Sequence, residues 1–468
     1  MKYASASMLL ALCALLGGQD SRAQSSGGWI DRFSGEQGLN GHVNAIAIGD
    51  SGEVYVAGAF TEAGGQVVNH IAKWTGTAWE ALGSGVNDWV NAVEITPTGE
   101  LYVGGDFTEA GGLEARFIAR WNGEQWEGLG QGLTGTVFAI AANDTALYVG
   151  GRFNEADQEP AHRLARWDGA AWHAVGGGVE GPFTIEDESR VYALALDEGG
   201  LYVGGLFLEA GGQPAWNIAR WDGSTWEALG SGTGGTDQSV WSITISDAGA
   251  VYVGGAFTEA GGQEIAHLAR WTGATWEPLG TGVNGPVYAV ALGKAEEVYV
   301  GGDFTEAGGQ PASNIARWTG SAWELLGSGV DSFGVSAIDV HEQDVYVGGS
   351  FTQAGGMNSN SLALWQNPTP TGVEALFPDE KADLRFESIY PNPIDDETTL
   401  IFRLRQASHV RLDVYNMLGQ RAAIVLDAVR PAGVHQVVWQ VKGLPSGSYL
   451  LRLQAGSSIR VKSVTLRR

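Results

Sequence analysis

One block of sequence returns seven times between residues 54 and 366, and it restricts the possible folds more than any other feature. Its clearest copy, Val298 to Trp323, reads VYVGGDFTEAGGQPASNIARWTGSAW. Successive copies lie 46 to 54 residues apart, the length of a four-stranded propeller blade. The anchoring residues are Phe60, Phe107, Phe153, Phe207, Phe257, Phe304 and Phe351. The repeat therefore predicts an all-β chain with a seven-bladed β-propeller over residues 24–366.

Each copy divides into four short apolar segments that are separated by turn residues, as four antiparallel strands require. In the copy quoted, the segments are Val287–Leu292, Val298–Val300, Ile315–Trp318 and Trp323–Leu326. A glycine pair closes the second segment, where backbones approach closely or φ is positive. No segment has a sustained 3.6-residue period of apolar residues, so the repeat region is predicted to be all-β.

The seventh copy lacks its fourth strand. Six copies carry two tryptophans five residues apart, whereas Trp365 is followed by Asn367 and Pro368. A segment around Trp29 matches the passage from a fourth strand to the next first strand. We therefore expect the Trp29 strand to pair with the Trp365 strand, which closes the ring and leaves no open sheet edge.

The pattern GGxFT…IARWxGxxW, over roughly residues 29 to 366, resembles the kelch-type propeller repeat in its double glycine, its tyrosine and its tryptophan. It is more similar to repeats of bacterial surface proteins and of a fungal cortical cell-polarity marker. The segment FTEAGG departs from the kelch pattern. The resemblance implies a fold and no particular activity.

The first 23 residues have the features of a secretory signal peptide. Lys2 precedes a short apolar run from Met8 to Leu16, and small residues flank Arg22 before a cleavage site after Ala23. The one cysteine, Cys13, lies in this segment, so disulfides and thiolate metal sites are not expected in the mature chain. No later stretch is long and apolar enough to be a transmembrane helix.

Charge is distributed unevenly along the chain. The net charge is −26, but residues 389–468 alone carry +6. Such a shift indicates a domain boundary, and residues 367–388, which contain Pro368, Pro370 and Pro378, are predicted to be a linker. The strongly negative remainder argues against a nucleic-acid partner.

Residues 389–468 contain alternating apolar segments such as Thr399–Leu404 and Val410–Tyr415, which predict a small Ig-like β-sandwich. The segments YPNP, VYNMLGQ, AGVHQVVW and LPSGSY follow in that order, with Arg460-Val461-Lys462 near the end. Together they are very similar to the type A C-terminal (Por) sorting domain of the type IX secretion system of Bacteroidota. The resemblance implies export across the outer membrane to the cell surface or beyond, with the secretion machinery as partner. The motif residues are Tyr390, Pro391, Asn392, Pro393, Gly419, Gly447, Tyr449 and Lys462.

Three propeller tryptophans fall outside the repeat pattern. Trp89 precedes a first strand, Trp216 lies between a second and a third strand, and Trp241 begins a first strand. These connections share one side of a propeller, called here the loop face, where binding residues concentrate. Such aromatic surfaces stack on sugar rings or pack against a partner protein. The counterparts of Trp241 are aromatic in other copies, which favours a packing role for it.

The longest insertion on the loop face precedes the fourth copy and contains Glu186, Asp187 and Glu188. We therefore include these three acids in the candidate ligand-binding set. The insertion also weakly opposes a purely structural surface, because a structural component needs only uniform loops.

Five copies have an unbroken E-A-G-G segment, and a glutamate stands at its first position in six: Glu62, Glu109, Glu155, Glu209, Glu259 and Glu306. A ring of six carboxylates would gather cations. The favoured interpretation is that each glutamate satisfies its own loop or pairs with the basic residue of IARW. The seventh copy supports this, since it has lost both members, with Gln353 and Leu364.

Motifs of catalysis, nucleotide binding and calcium binding are absent from the sequence. His70, His162 and His267 share one loop in alternate copies, too far out along the blades to converge on a metal. We predict no catalytic residue, no metal and no cofactor, although a carboxylate pair stays open.

The favoured function is that of a monomeric, non-enzymatic module that binds an extracellular polysaccharide or protein. The alternatives are a secreted carbohydrate-active hydrolase or lyase on a propeller scaffold, and a structural component of the cell surface.

Overall fold

The computed structural model describes residues 27–34, 37–49, 51–143, 145–181, 189–235, 238–331, 334–367, 384–390, 394, 397–404, 407–416, 420–431, 433–441, 443–456 and 458–467. The signal peptide predicted at residues 1–23 lies outside these ranges. The chain divides into two compact units on either side of residue 368. Within the described ranges the chain is all-β apart from a 3-10 helix at Lys294–Glu296. None of the helical structure described is long or apolar enough to span a membrane.

The first unit contains seven four-stranded antiparallel sheets, numbered here 1 to 7 in the order of their inner strands. The inner strands are Val43–Ile48, Val90–Ile95, Val137–Asn143, Arg190–Asp197, Val240–Ile245, Val287–Leu292 and Val335–His341. The second strands are Val54–Gly58, Leu101–Gly105, Ala146–Gly151, Gly200–Leu206, Val251–Gly255, Val298–Gly302 and Asp344–Gly349.

The third strands carry the IARW-type segment in each sheet. They are Ile71–Trp74, Ile118–Trp121, Leu164–Trp167, Ile218–Trp221, Leu268–Trp271, Ile315–Trp318 and Leu362–Gln366. The outer strands of sheets 1 to 6 are Trp79–Ala81, Trp126–Gly128, Trp172–Ala174, Trp226–Ala228, Trp276–Pro278 and Trp323–Leu325. The outer strand of sheet 7 is Gly28–Ile30, from the other end of the unit.

Close packing favours the glycine pair near the end of the second strand, which six of the seven sheets carry. A Cβ atom on Gly301 would lie 2.4 Å from a methyl of Val335 in the next sheet. A Cβ atom on Gly302 would lie 2.0 Å from the carbonyl oxygen of Pro286 in the same sheet. A side chain at Gly302 would therefore clash with backbone, because 2.0 Å is far below van der Waals contact. The position of Gly301 is less strict, since sheet 1 has Ala57 there.

A tryptophan in each outer strand ties its sheet to the segment that follows the outer strand of a neighbouring sheet. The Trp126 indole N–H, for example, donates to the carbonyl of Leu82 at 2.7 Å. The equivalent donors are Trp29, Trp79, Trp172, Trp226, Trp276 and Trp323. Buried indoles need such a partner, so the repeat satisfies each one across a seam between sheets.

The strand Gly28–Ile30 occupies the outer position of sheet 7. It runs antiparallel to Leu362–Gln366, with Trp29 opposite Trp365. The two indole rings meet edge to face at 5.5 Å, and the Trp29 N–H donates to the carbonyl of Leu326 at 2.9 Å. Inner strands of successive sheets contact one another, and that of sheet 7 contacts that of sheet 1. The seven sheets therefore follow each other in a cycle, although each sheet remains open on its own.

The E-A-G-G segments, which the sequence places in plain loops, form small hairpins instead. The strand pairs are Glu62–Ala63 with Gln66–Val67, Glu109–Ala110 with Leu113–Glu114, Glu155–Ala156 with Glu159–Pro160, Glu209–Ala210 with Gln213–Pro214, Glu259–Ala260 with Gln263–Glu264, Glu306–Ala307 with Gln310–Pro311, and Gln353–Ala354 with Met357–Asn358. Val179–Glu180 and Thr233–Gly234 add a third strand to the hairpins of sheets 4 and 5. Gly308 and Gly309 turn the sixth hairpin with φ of 61° and 71°, which glycine adopts without strain.

The preceding loop holds several of these hairpins in place. The Asn87 side-chain carbonyl accepts hydrogen bonds from the backbone N–H groups of Thr108 and Glu109, at 2.9 and 3.0 Å. Asn40 and Asn284 do the same in sheets 1 and 6, and Asp331 does so in sheet 7. The hairpins are thus fixed features of the loop face rather than free loops.

The second unit has two antiparallel sheets around one core. One sheet contains Leu384–Tyr390, Glu397–Leu404 and Gly433–Gln440, and the other contains Arg421–Arg430, Ser408–Asn416, Gly447–Ala455 and Ser458–Leu466. Both contribute to a cluster that includes Leu400, Phe402, Leu412 and Leu453.

The first strand of this unit begins inside the segment predicted to be a linker. It starts at Leu384 rather than at residue 389, and its pairing shifts between Phe386 and Ser388. This bulge interrupts the alternation of apolar residues, which is why the strand is not visible as a period-2 pattern. Residues 384–388 of the predicted linker therefore form part of this strand.

Candidate binding site

Trp89 and Trp216 lie exposed on the loop face. Their exposed fractions are 54% and 47%. Their backbones are anchored, since the Trp89 carbonyl accepts from the N–H of Asp106 at 2.9 Å and that of Trp216 accepts from the N–H of Thr233 at 3.0 Å. Half-exposed indoles on anchored backbone are candidate contact residues, because aromatic side chains dominate the energetics of sugar stacking and protein interfaces.

Trp241 occupies a different position, inside the cycle of inner strands. It follows the first valine of its inner strand, where the pairing with the second strand shifts by one residue. The same shift occurs in all seven sheets. A bulge re-aims the extra side chain. We call these seven bulged residues the mouth ring.

Sheets 3 to 6 place aromatic residues in the mouth ring: Phe138, Tyr192, Trp241 and Tyr288. Phe138 and Tyr192 lie 5.3 Å apart between ring centroids, and Trp241 and Tyr288 lie 5.1 Å apart. All four are only half-buried. The Tyr192 hydroxyl accepts from the Arg190 guanidinium at 3.1 Å. We call these four residues the aromatic arc.

Sheets 7, 1 and 2 place polar residues in the mouth ring: Ser336, Asn44 and Asn91, called here the polar arc. Asn44 donates to the side-chain oxygen of Asn91 at 3.2 Å, and Asn91 donates to Asp106 at 3.0 Å. Ser336 lies 3.2 Å from Nε2 of His42. Burial lowers the pKa of His42, so its imidazole is neutral at pH 7.

His42 also contacts Ser350, with 2.5 Å between its Nδ1 and the serine hydroxyl. The pair lies in a cleft of about 380 Å³ between sheets 7 and 1, which Asn40, Gly41 and Asn360 also line. At the same place between sheets 2 and 3, Thr136 donates to Asp106 at 2.6 Å. The His42–Ser350 contact is therefore one of the polar contacts that join neighbouring sheets.

Two carboxyl groups lie further along the inner strands, where the other sheets have alanine or threonine. Burial raises the pKa of Glu94 and of Asp339 to about 7 each, and the charge of Asp339 adds to the shift of Glu94. Glu94 accepts from the N–H of Ala142 at 3.3 Å, and Asp339 accepts from the N–H of Ile48 at 3.0 Å. Each thus reaches toward the next sheet.

Sequence reasoning did not find the mouth ring or these two carboxyls. The signal for the acids was present, because Glu94 and Asp339 stand where the repeat has Ala47, Ala141 and Ala291. The ring was harder to see, since its members have different chemistry and a bulge leaves no mark in the apolar pattern.

The expected pairing between the E-A-G-G glutamates and the basic residues of IARW is wrong for four sheets. Arg120 lies opposite Glu127 in the strand register and contacts it and Glu100, both at 2.6 Å. Arg220, Arg270 and Arg317 likewise contact the glutamate of the outer strand. The antiparallel register decides the partner, because it brings the two side chains to the same face of the sheet.

The remaining predicted residues fall into two groups. Glu186, Asp187, Glu188, Pro391, Asn392, Pro393 and Gly419 lie outside the described residues. In the second unit, Tyr390 ends a strand, Gly447 begins one with φ of 149°, and Lys462 is exposed. Tyr449 is buried, and its hydroxyl donates to the carbonyl of Pro445 at 3.0 Å. Among the described residues, no three His, Cys, Asp or Glu side chains are grouped as a metal site.

The family described as "Secretion system C-terminal sorting domain" matches residues 388–467. A domain of this kind marks proteins that the type IX secretion system exports, and this chain is therefore delivered to the cell surface or released. No curated protein matches the chain.

Several solved structures are distantly similar. PorZ, described as an essential bacterial surface component of the type IX secretion system of Porphyromonas gingivalis, is 16% identical with a TM-score of 0.36. The similarity covers 91% of this chain and 66% of PorZ, just under two thirds of its length. The β-propeller domain of the Trilobed protease from Pyrococcus furiosus is 13% identical with a TM-score of 0.42, over 70% of this chain and 97% of that one. A fungal alcohol oxidase of the AA5 family is 11% identical with a TM-score of 0.41, over 94% and 100%. Likeness at this level carries nothing about activity.

Proposed function

We propose that this chain is an exported binding module without enzymatic activity, which uses its loop face to bind a polysaccharide or a protein. The observation that carries the proposal is the pair of half-exposed indoles, Trp89 and Trp216, on fixed backbone. Large aromatic side chains dominate the energetics of both sugar stacking and protein interfaces. The module acts as a monomer at the cell surface or after release.

In this proposal the first unit is a seven-bladed, kelch-like propeller whose ring the Trp29 strand closes. The cyclic order of the inner strands and the repeated indole hydrogen bond support that architecture. The second unit is an Ig-like sandwich that serves as the type IX export signal of a Bacteroidota protein. A signal peptide at residues 1–23 supplies the first step of that route.

The test is retention of glycans and proteins by the purified full chain. We expect binding that Trp89→Ala or Trp216→Ala weakens about fivefold, since one lost aromatic contact is worth roughly 1 kcal/mol. Trp89→Phe and Trp216→Phe are the matched controls, because they keep an aromatic face. Unchanged binding by both alanine variants would overturn the assignment of the loop face.

A second candidate function, glycoside hydrolysis, is favoured by Glu94 and Asp339. A carboxyl group with a pKa near 7 is partly protonated and partly ionised at neutral pH, so it can act as a general acid or as a general base. A screen of oligosaccharides for hydrolysis separates the two functions. Turnover that Glu94→Gln or Asp339→Asn abolishes would support the enzyme, and stable binding without turnover would support the binding module.

A further inference from the structure

We propose that the mouth ring is a binding site for one neutral sugar ring of a glycan, stacked on the aromatic arc and hydrogen-bonded by the polar arc. The inference rests on the proposed binding function. It specifies that the ligand is a carbohydrate and that the binding site lies on the inner strands. It assigns Trp241 a contact role beside its packing against Tyr288.

The division of the mouth ring into two arcs is the first support. One bulged position in seven homologous sheets carries aromatic residues in four consecutive sheets and polar residues in the other three. The same bulge accepts serine, asparagine or tryptophan, so the backbone does not select this order. The order instead creates a site with one apolar side and one hydrogen-bonding side.

The orientation of the side chains is the second support. Phe138 with Tyr192, and Trp241 with Tyr288, are tilted by 41° and 37° and stay half-buried. Each pair therefore buries part of its surface against its neighbour and leaves part of it accessible. The Tyr192 hydroxyl is held by Arg190, which fixes that ring in place before any ligand arrives. Preorganised aromatic surfaces cost little entropy on binding.

The polar arc supplies the donors and acceptors that a sugar requires. The Asn44 amide bridges to Asn91, and Asn91 bridges to Asp106, so their positions are fixed by one another. A sugar ring has an apolar C–H face and a rim of hydroxyl groups. That combination matches an aromatic surface opposite amide, hydroxyl and carboxylate groups.

The charge near the ring favours a neutral sugar over a uronic acid. Asp106 lies beside the polar arc, burial and then the charge of Asp303 raise the pKa of Tyr288, and Glu94 and Asp339 lie deeper along the inner strands. His42 adds no positive charge at pH 7, because burial lowers its pKa. Arg190 engages Tyr192, and Arg152 stands in sheet 3 where sheet 2 has Asp106, so these two cations are outnumbered by the four acids.

A protein ligand is the less favoured occupant. Trp89 and Trp216 are more exposed than the residues of the aromatic arc, so a flat protein surface would contact them more readily. A single sugar ring at the end or side of a glycan chain is small enough to reach them.

The test is saturation-transfer NMR with the full chain and neutral xylo-, cello- and manno-oligosaccharides, with oligogalacturonate as the charged probe. We expect saturation concentrated on the C–H protons of one sugar ring for at least one neutral probe, and none for oligogalacturonate. Trp241→Ala and Tyr288→Ala should weaken that binding about tenfold or more, whereas Trp241→Tyr and Tyr288→Phe should retain most of it. Thermal unfolding of each variant verifies that the ring of sheets is intact.

The Trp89 and Trp216 variants distinguish a failure of the mouth-ring site from a failure of the proposed binding function. Binding that Trp89→Ala or Trp216→Ala abolishes, but that Trp241→Ala and Tyr288→Ala leave unchanged, would overturn the mouth-ring site and keep the loop face. Preference for oligogalacturonate or for a protein would overturn the choice of ligand. Retention of no glycan and no protein at all would overturn the proposed function itself.

Discussion

The same repeat produces two regions that differ in how much they vary, the outer seams and the mouth ring. At the seams, all seven sheets use a tryptophan that donates to a backbone carbonyl of the segment that follows the outer strand of a neighbouring sheet, with distances of 2.7 to 3.0 Å. In the mouth ring, five residue types occupy one bulged position. The constant tryptophan hydrogen bonds at the seams therefore hold neighbouring sheets together. The residues of the mouth ring can vary without loss of that assembly, and they are available for ligand contacts.

The largest expected effect is the loss of stability when the Trp29 seam is removed. We expect Trp29→Ala to lower the free energy of unfolding by about 3–5 kcal/mol, the usual cost of truncating a large aromatic residue that packs in a core. Chemical denaturation of the purified chain measures it, and Trp126→Ala in sheet 2 is the matched control. A loss below about 1 kcal/mol for Trp29→Ala beside a large loss for Trp126→Ala would mean that the closing seam is not equivalent to the others.

The inner strands should respond to pH in a way that the seams do not. Glu94 and Asp339 have folded-state pKa values of about 7, above their ordinary values of 4.5 and 3.8. Because each carboxyl binds its proton more tightly in the folded state, protonation stabilises the fold. This contribution to the free energy of unfolding is complete below about pH 4 and is lost as pH rises through 7. We expect the wild type to lose up to about 3 kcal/mol per group over that window.

The measurement is urea unfolding between pH 4 and 8 for the wild type and for Glu94→Gln with Asp339→Asn. The double variant keeps the hydrogen-bond acceptors and removes the titration, so its stability should vary less with pH. Curves that run parallel over the whole window would show that the two carboxyls are ionised at no cost.

The loop face should depend on its hairpin anchors by a smaller amount. Asn87→Ala removes an oxygen that accepts two backbone hydrogen bonds, and we expect a loss of about 1 kcal/mol by thermal unfolding. Asn87→Asp is the control, because Asp331 serves the same purpose in sheet 7. If the alanine and aspartate variants unfold alike, the anchor contributes nothing to the stability of the loop face.

The smallest effect concerns the exposed indoles. Trp89→Ala and Trp216→Ala should each change the free energy of unfolding by less than about 0.5 kcal/mol, as surface substitutions do. Calorimetry of both variants tests this. A larger loss would place these indoles among the packing residues and remove the reason to treat them as contact residues.

The sequence predicted structural features that depend on residues recurring in each copy. It did not predict side-chain contacts that depend on which strands pair and in what register. The missing second tryptophan after Trp365 is visible in the sequence, and the antiparallel pairing with Trp29 is visible in the structure. The partner of Arg120 was misassigned, because only the strand register places Glu127 opposite it. The hairpin at Glu109 was missed, since strands of two residues on each side of a glycine pair have no periodicity to detect.

The closing strand also sets the order in which this chain can fold. Trp29 and its acceptor, the carbonyl of Leu326, are separated by 297 residues. A contact between such distant residues forms late, because the entropy of closing the loop must be overcome first. During synthesis or export the N-terminal strand therefore stays without its partner until nearly all seven repeats have emerged. The first unit should accordingly gain its final stability in one late step, and a chain truncated before residue 366 should remain open to proteases.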